Sequence, residues 1–196
     1  MTKALCGNFI VGYKGKYMQT CALVIGHRKE SPGACNANYK DSEYKFNDVL
    51  AGMIENRMEK GSIIKVYRTG SYIKLPIQIN TLLPSFILSL HCNSFNRKAS
   101  GTEVLYYEHS GRGRIIAGFL QERLVRCLKL YDRGIKAKSE DDRGGYLLKY
   151  TSAPCIIAEP FFIDNDEDLL TAKALMGKLA KAYADAIYEI FSFLRR

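Results

Sequence analysis

The sequence predicts an α/β fold: a single domain on a mostly parallel, twisted sheet with helices on both faces. Three observations lead there. Short continuous apolar runs, CALVI (21–25), FILSL (86–90) and CIIA (155–158), read as strands buried on both faces. Segments with helical spacing of apolar residues separate them, as parallel connections require. The chain, at 196 residues, suffices for one sizeable core, and no repeat or Pro/Gly/Ser-rich linker divides it.

Taken in order, a hairpin-like region is expected over about residues 3–18, then the strand that ends at His27. The loop RKESPGACNANYKD leads into a helix over 42–60, with Asp41 or Ser42 as N-cap and Gly61 as the stop. Its apolar stripe is Phe46, Val49, Leu50, Met53 and Ile54. SIIKVYRTG reads as a strand, LPIQINTLLP as a short helix, SFILSLHCN and GTEVLYYE as two further strands. A long helix over 112–131 carries Ile115, Ile116, Phe119, Leu120, Leu124, Cys127 and Leu128 inward. DRGIKAKSEDDRGGYLLKYTSA reads as a basic loop before the last strand, CIIAEPFFI. One helix over 166–193 closes the chain, with Leu169, Leu175, Met176, Leu179, Tyr183, Ile187, Ile190 and Phe191 on its apolar face.

Composition narrows the class. The chain is 47% apolar and 25% charged, which describes a globular protein, and no apolar run reaches the ~20 residues that cross a bilayer. Gly7 and Asn8 interrupt the early apolar patch, so the N-terminus reads as mature sequence made in the cytoplasm. Six scattered cysteines without a CxxC pair read as reduced thiols. A net charge of +9 suits a polyanionic partner without choosing among them.

In sheets of this kind function sits beyond the carboxyl ends of the strands. Three predicted strands end there in titratable residues: His27, His91 and Glu159. Glu43 joins them because it lies in line with Leu50 on the core-facing stripe, where a carboxylate needs a positive partner. Two imidazoles and a carboxylate are a ligand set of catalytic zinc, and Glu159 would then be the acid/base. Taken singly, each histidine more often serves structure, and a first-turn glutamate is favoured by the helix dipole alone.

The ordered blocks VIGHRKESPGA, SEYKFN, FILSLHCNSFNRKASGTEV and APCIIAEPFFIDNDED, with YDRGIKAK between them, resemble those of the zinc-dependent type 3 N-acetylmuramoyl-L-alanine amidases. The resemblance runs from about residue 21 to the C-terminus. It implies one zinc ion held by His27, Glu43 and His91, with Glu159 as the catalytic carboxylate. It also implies hydrolysis of the amide between the lactyl group of N-acetylmuramic acid and L-alanine in peptidoglycan. Arg28, Lys29 and Glu30 replace the family's Gly-rich turn, and Pro160 and Phe161 follow the catalytic glutamate where a small residue and glycine are usual. A catalytic domain over 1–196 without a separate wall-binding domain is expected, acting as a bacteriophage endolysin that reaches the wall after release.

Two rivals stand beside this reading. A related zinc amidohydrolase or peptidase would keep the metal and change the bond. A basic nucleic-acid-binding module would leave the histidines incidental, and the absence of a nucleic-acid motif and Glu43 on its stripe stand against it. His109 reads as an exposed loop histidine and Cys92 as a core thiol. EDDRGG lacks calcium-loop spacing, and Arg112, Arg114, Arg123, Arg126 and Lys129 read as the wet side of their helix.

Overall fold

A computed structural model describes residues 18–196 of the chain. The hairpin expected over 3–18 lies outside the described residues, apart from Met18. The elements are β1 (Cys21–Ile25), β2 (Cys35–Asn36), β3 (Asp41–Ser42), α1 (Glu43–Glu55) and β4 (Ile63–Tyr67). A 3-10 turn (Tyr72–Lys74) leads into α2 (Leu75–Asn80), followed by β5 (Phe86–Leu90), β6 (Thr102–Tyr107) and α3 (Gly111–Leu128). The rest is β7 (Asp132–Lys138), α4 (Gly145–Tyr150), β8 (Cys155–Glu159), α5 (Asp166–Ala174) and α6 (Met176–Leu194).

The central sheet has the order β4-β1-β5-β8-β6-β7. β4, β1, β5 and β8 run parallel, and β6 turns against β8 while β7 follows β6. Every residue of β1, β5 and β8 is buried, which is why these strands read as unbroken apolar runs rather than alternating ones. One sheet face carries the larger core, closed by α1, α3 and α6. The other carries a smaller core from Ala22, Val24, Ile87, Leu105 and Ile157 against Leu75 and Ile79 of α2 and Leu147 and Leu148 of α4. The predicted class, a mostly parallel sheet with helices on both faces, is the observed one.

Several boundaries differ from expectation, each for a local reason. α1 starts as predicted, with Ser42 Oγ accepting from the Lys45 N–H (3.3 Å), but stops at Glu55. There the backbone tightens into Arg57 N–H to Ile54 O and Met58 N–H to Glu55 O bonds, before the chain reaches Gly61. Val49 and Ile115, expected inward, are about half exposed. The buried lines are Phe46–Leu50–Ile54 and Ile116–Leu120–Leu124, each at i, i+4 spacing. α3 ends at Leu128, with Lys129 left-handed at φ 56°. The closing helix is two: the chain breaks at Leu175 (φ −102°, ψ 11°), and α6 turns its apolar face onto α1 and α3.

The basic loop expected over 132–153 contains an edge strand and a short helix instead. β7 pairs on one side only, so it needs no apolar run; its lysines and arginine suit an exposed edge. α4 packs Leu147 and Leu148 onto the smaller core.

Tyr183 of α6 is fully buried, and its hydroxyl has no hydrogen-bond partner among the described residues. An unmade bond of this kind costs on the order of 1 kcal/mol or more. Tyr183→Phe is therefore expected to raise the melting temperature by about 2–4 °C; a lower one would mean that the hydroxyl is satisfied in solution.

Candidate metal centre and active-site cleft

Four strand-end and helix-start positions meet above the parallel half of the sheet. His91 follows β5 directly, Glu159 is the last residue of β8, and His27 lies two residues past β1. Glu43 opens α1 with no solvent exposure at all. The loop after β1 makes this possible: Arg28 and Ser31 exchange backbone hydrogen bonds in a tight reversal (3.2 and 3.0 Å). The chain then returns through Gly33 so that α1 starts against the strand ends.

Two glycines leave the space the imidazoles occupy. A Cβ at Gly26 would stand 2.5 Å from Leu90 O and 2.7 Å from the His91 ring. One at Gly33, itself at φ 81°, would stand 2.6 Å from both Glu43 Oε2 and the His27 ring. His27 has no such relief: its own backbone is left-handed, φ 67°.

The Glu43 carboxylate is met on all sides. Oε1 accepts from the Cys92 N–H (3.0 Å) and lies 2.8 Å from His91 Nδ1. Oε2 accepts from the Ala34 N–H (3.2 Å) and lies 3.0 Å from His27 Nε2, but that approach lacks hydrogen-bond geometry, and His27 Nε2 is left without a partner. Burial pushes the Glu43 pKa up; the two imidazoles, by contact and by charge, outweigh it and hold the carboxyl well below the usual range. His27 and His91 stand edge to face, ring centres 5.3 Å apart. Donor atoms of His27, Glu43 and His91 lie within 4.8 Å of one another, so one cation could be held by all three. Two imidazole nitrogens and one carboxylate oxygen fit zinc, and the unpartnered His27 nitrogen fits a missing electron-pair acceptor.

Glu159 faces the same cleft and is 7% exposed, with Oε2 unpartnered. Burial first, and then the negative charge of Glu43, raise its pKa well above the ordinary value, against a smaller pull from Arg143. Across the antiparallel pair sits Glu103, which accepts from Asn93 Nδ2 (2.8 Å) and Arg133 Nε (2.7 Å). The loops after β5 and β8 are laced together by Asn93 N–H to Phe161 O (2.9 Å) and Ile163 N–H to Asn93 O (2.8 Å). Phe161 fills the core against Phe46 (4.8 Å between ring centres), which accounts for a large residue at that position.

Of the four residues singled out from the sequence, His27, His91 and Glu159 line one cleft, and Glu43 lies buried behind it against both imidazoles. Cys92 is a buried core thiol and His109 an exposed loop residue, as expected. Sequence reasoning missed Asn93, Glu103, Arg68, Lys138 and Arg143, which line the same cleft of about 330 Å³. The strand-end rule, applied to β4, points to Arg68; the others come from β6, β7 and loops that the rule does not reach.

A sequence profile described as N-acetylmuramoyl-L-alanine amidase matches residues 21–189. An uncharacterized cell wall amidase of Bacillus anthracis is 34% identical over 89 residues, 41% of this chain and only 16% of that protein's length. The catalytic domain of CwlV, an N-acetylmuramoyl-L-alanine amidase from Bacillus (Paenibacillus) polymyxa var. colistinus, superposes with a TM-score of 0.77 at 22% identity, covering 89% of this chain and 99% of that one. The catalytic domain of the CD27L endolysin targeting Clostridia difficile does so with 0.73 at 24%, covering 88% and 97%.

A carboxylate buried as Glu159 is resists ionising, and a glutamine of the same shape has no such charge. In chelator-treated protein, Glu159→Gln is expected to melt above wild type at pH 8. The gap should close as pH falls below about 4, where wild type is protonated folded and unfolded alike. Equal melting at both pH values would place Glu159 in contact with water.

Proposed function

The chain belongs to the N-acetylmuramoyl-L-alanine amidase family, and on that premise we propose that it is a zinc enzyme hydrolysing the amide between the lactyl group of N-acetylmuramic acid and L-alanine in peptidoglycan. One observation carries the reading: the donor atoms of His27, Glu43 and His91 converge at the cleft into which Glu159 presents an unpartnered oxygen.

His27, Glu43 and His91 would hold the ion, with the Glu43 carboxylate oriented by the Cys92 and Ala34 N–H groups. Bound there, zinc supplies Lewis-acid polarisation of the scissile carbonyl and lowers the pKa of water toward ~7. Glu159 does the proton work. It takes a proton from the attacking water and gives it to the alanyl nitrogen as the C–N bond breaks, leaving a lactyl carboxylate and a free amine. Water is the nucleophile, so no side chain becomes acylated. The buried, low-polarity setting that lifts the Glu159 pKa suits a group that must both accept and return a proton.

For the setting we infer lysis of the bacterial wall in the manner of a bacteriophage endolysin, with residues 1–196 acting as the catalytic domain. The structural likeness to a protein named as an endolysin supports this setting.

Elemental analysis of purified protein, beside turbidity loss of isolated cell walls, tests the reading. Wild type is expected to carry about one zinc ion per chain, as a three-ligand catalytic site does, and His91→Ala to lose both metal and lysis. Glu159→Gln is expected to keep the metal and lose activity by roughly 10²-fold or more. Metal-free protein that still clears walls would refute the mechanism. Product analysis should find new L-alanine amino termini; cleavage elsewhere in the stem would make the chain a peptidase.

A further inference from the structure

The cleft does not end at Glu159. It runs on over the sheet face between the 3-10 turn and α4, and there its charge reverses, with Arg68, Lys138 and Arg143 on its walls. None of the three makes an ion pair with any described residue. Of the carboxylates that line the cleft, Glu103 is engaged by Arg133 and Glu159 stands in no ion pair with a described residue. Arg143 and Lys138 lie near enough to act on the Glu159 charge, but no described anion contacts any of the three cations along the cavity they line.

Two polar atoms along this stretch also lack partners among the described residues. Arg68 lies near the Tyr72 ring, 5.9 Å from its centre, and its Nε is buried without a hydrogen bond. On the floor, Ser89 is fully buried between Val24 and Ile157 of the neighbouring strands, and its hydroxyl has no acceptor or donor. Buried polar atoms left open toward a cleft are what a bound ligand satisfies. Around them the surface is apolar, from Leu75 and Leu147. The match is to a short peptide segment with a small apolar side chain and an anionic group.

We propose that this stretch is a carboxylate subsite, in which Arg68 and Arg143 grip a free carboxylate of the peptide that follows the scissile bond, above the Ser89 hydroxyl. The subsite rests on the amidase reading, under which the anions of the stem peptide are carboxylates. It makes the enzyme selective for stems whose carboxyl is free over those in which it is amidated. A guanidinium presents its donors as a planar fork that fits a carboxylate and fits a carboxamide poorly.

Synthetic muramoyl peptides test this with the zinc-loaded enzyme. In one, all stem carboxyls are free; in a second, that of the residue after alanine is amidated; in a third, only the distal carboxyls are amidated. Wild type is expected to favour the first over the second by roughly 10- to 100-fold in kcat/KM. Arg68→Gln and Arg143→Gln should each shrink that ratio toward one, slowing the free form more than the amidated form. Retained cleavage of the amidated substrate doubles as the check that each variant folds. A preference that follows the distal carboxyls supports the grip and assigns it to those groups. Equal loss on all substrates, or no preference in wild type, overturns the subsite and leaves the amidase reading standing. Zinc-loaded wild type that cleaves none of them removes both.

Discussion

A carboxylate with no exposure to water has to be met from every direction, and Glu43 is the group around which this site is organised. It sits at the first turn of α1, where the helix dipole already favours it. The dipole alone leaves its oxygens unsatisfied. Cys92 and Ala34 bring N–H groups from two other segments, and His27 and His91 bring imidazoles from two strands. Breaking one partner leaves the rest facing an uncompensated buried charge, at a cost of about 3–5 kcal/mol for pairs of this kind. Helix α1, the loop before it and the ends of β1 and β5 are therefore fixed relative to one another by a single side chain. A site assembled from four elements keeps its geometry because one residue touches all of them.

The sheet adds a second constraint. Reversal of direction between β8 and β6 brings the start of one strand beside the end of the other, so Glu103 stands opposite Glu159. Arg133 and Asn93 engage the Glu103 carboxylate, while burial and the Glu43 charge raise the pKa of Glu159. The laced loops after β5 and β8, anchored further by Asp168 accepting from the Ser100 hydroxyl and the Gly101 and Phe162 N–H groups, keep the rim from drifting. Rigidity near the chemistry comes from backbone pairing beyond the regular strands.

How much of this was legible beforehand depended on whether a feature has a period. β1, β5 and β8 were readable because strands buried on both faces are continuously apolar, and their ends then located His27, His91 and Glu159. Glu43 was readable from helix geometry, being one turn-pair from Leu50. β7 was not: an edge strand packs weakly, pairs on one side, and is written in the same polar residues as a loop. The break at Leu175 was hidden because apolar spacing continues across it, and only packing against α1 and α3 decides where the axis turns. Of the cationic half of the cleft only Arg68, just past the end of β4, follows the strand-end rule; Lys138 and Arg143 come from β7 and the approach to α4 and meet it only in three dimensions.

The left-handed backbone of His27 has an evolutionary consequence. Any residue but glycine pays about 1–2 kcal/mol to stand in that conformation. At this position the strain is offset by the contact it serves: removing the imidazole beside the buried Glu43 carboxylate costs about 3–5 kcal/mol, more than a glycine would return. Glycine at 27 becomes favourable only once the carboxylate at 43 is gone, so in a lineage drifting away from this site the two positions should change as a pair.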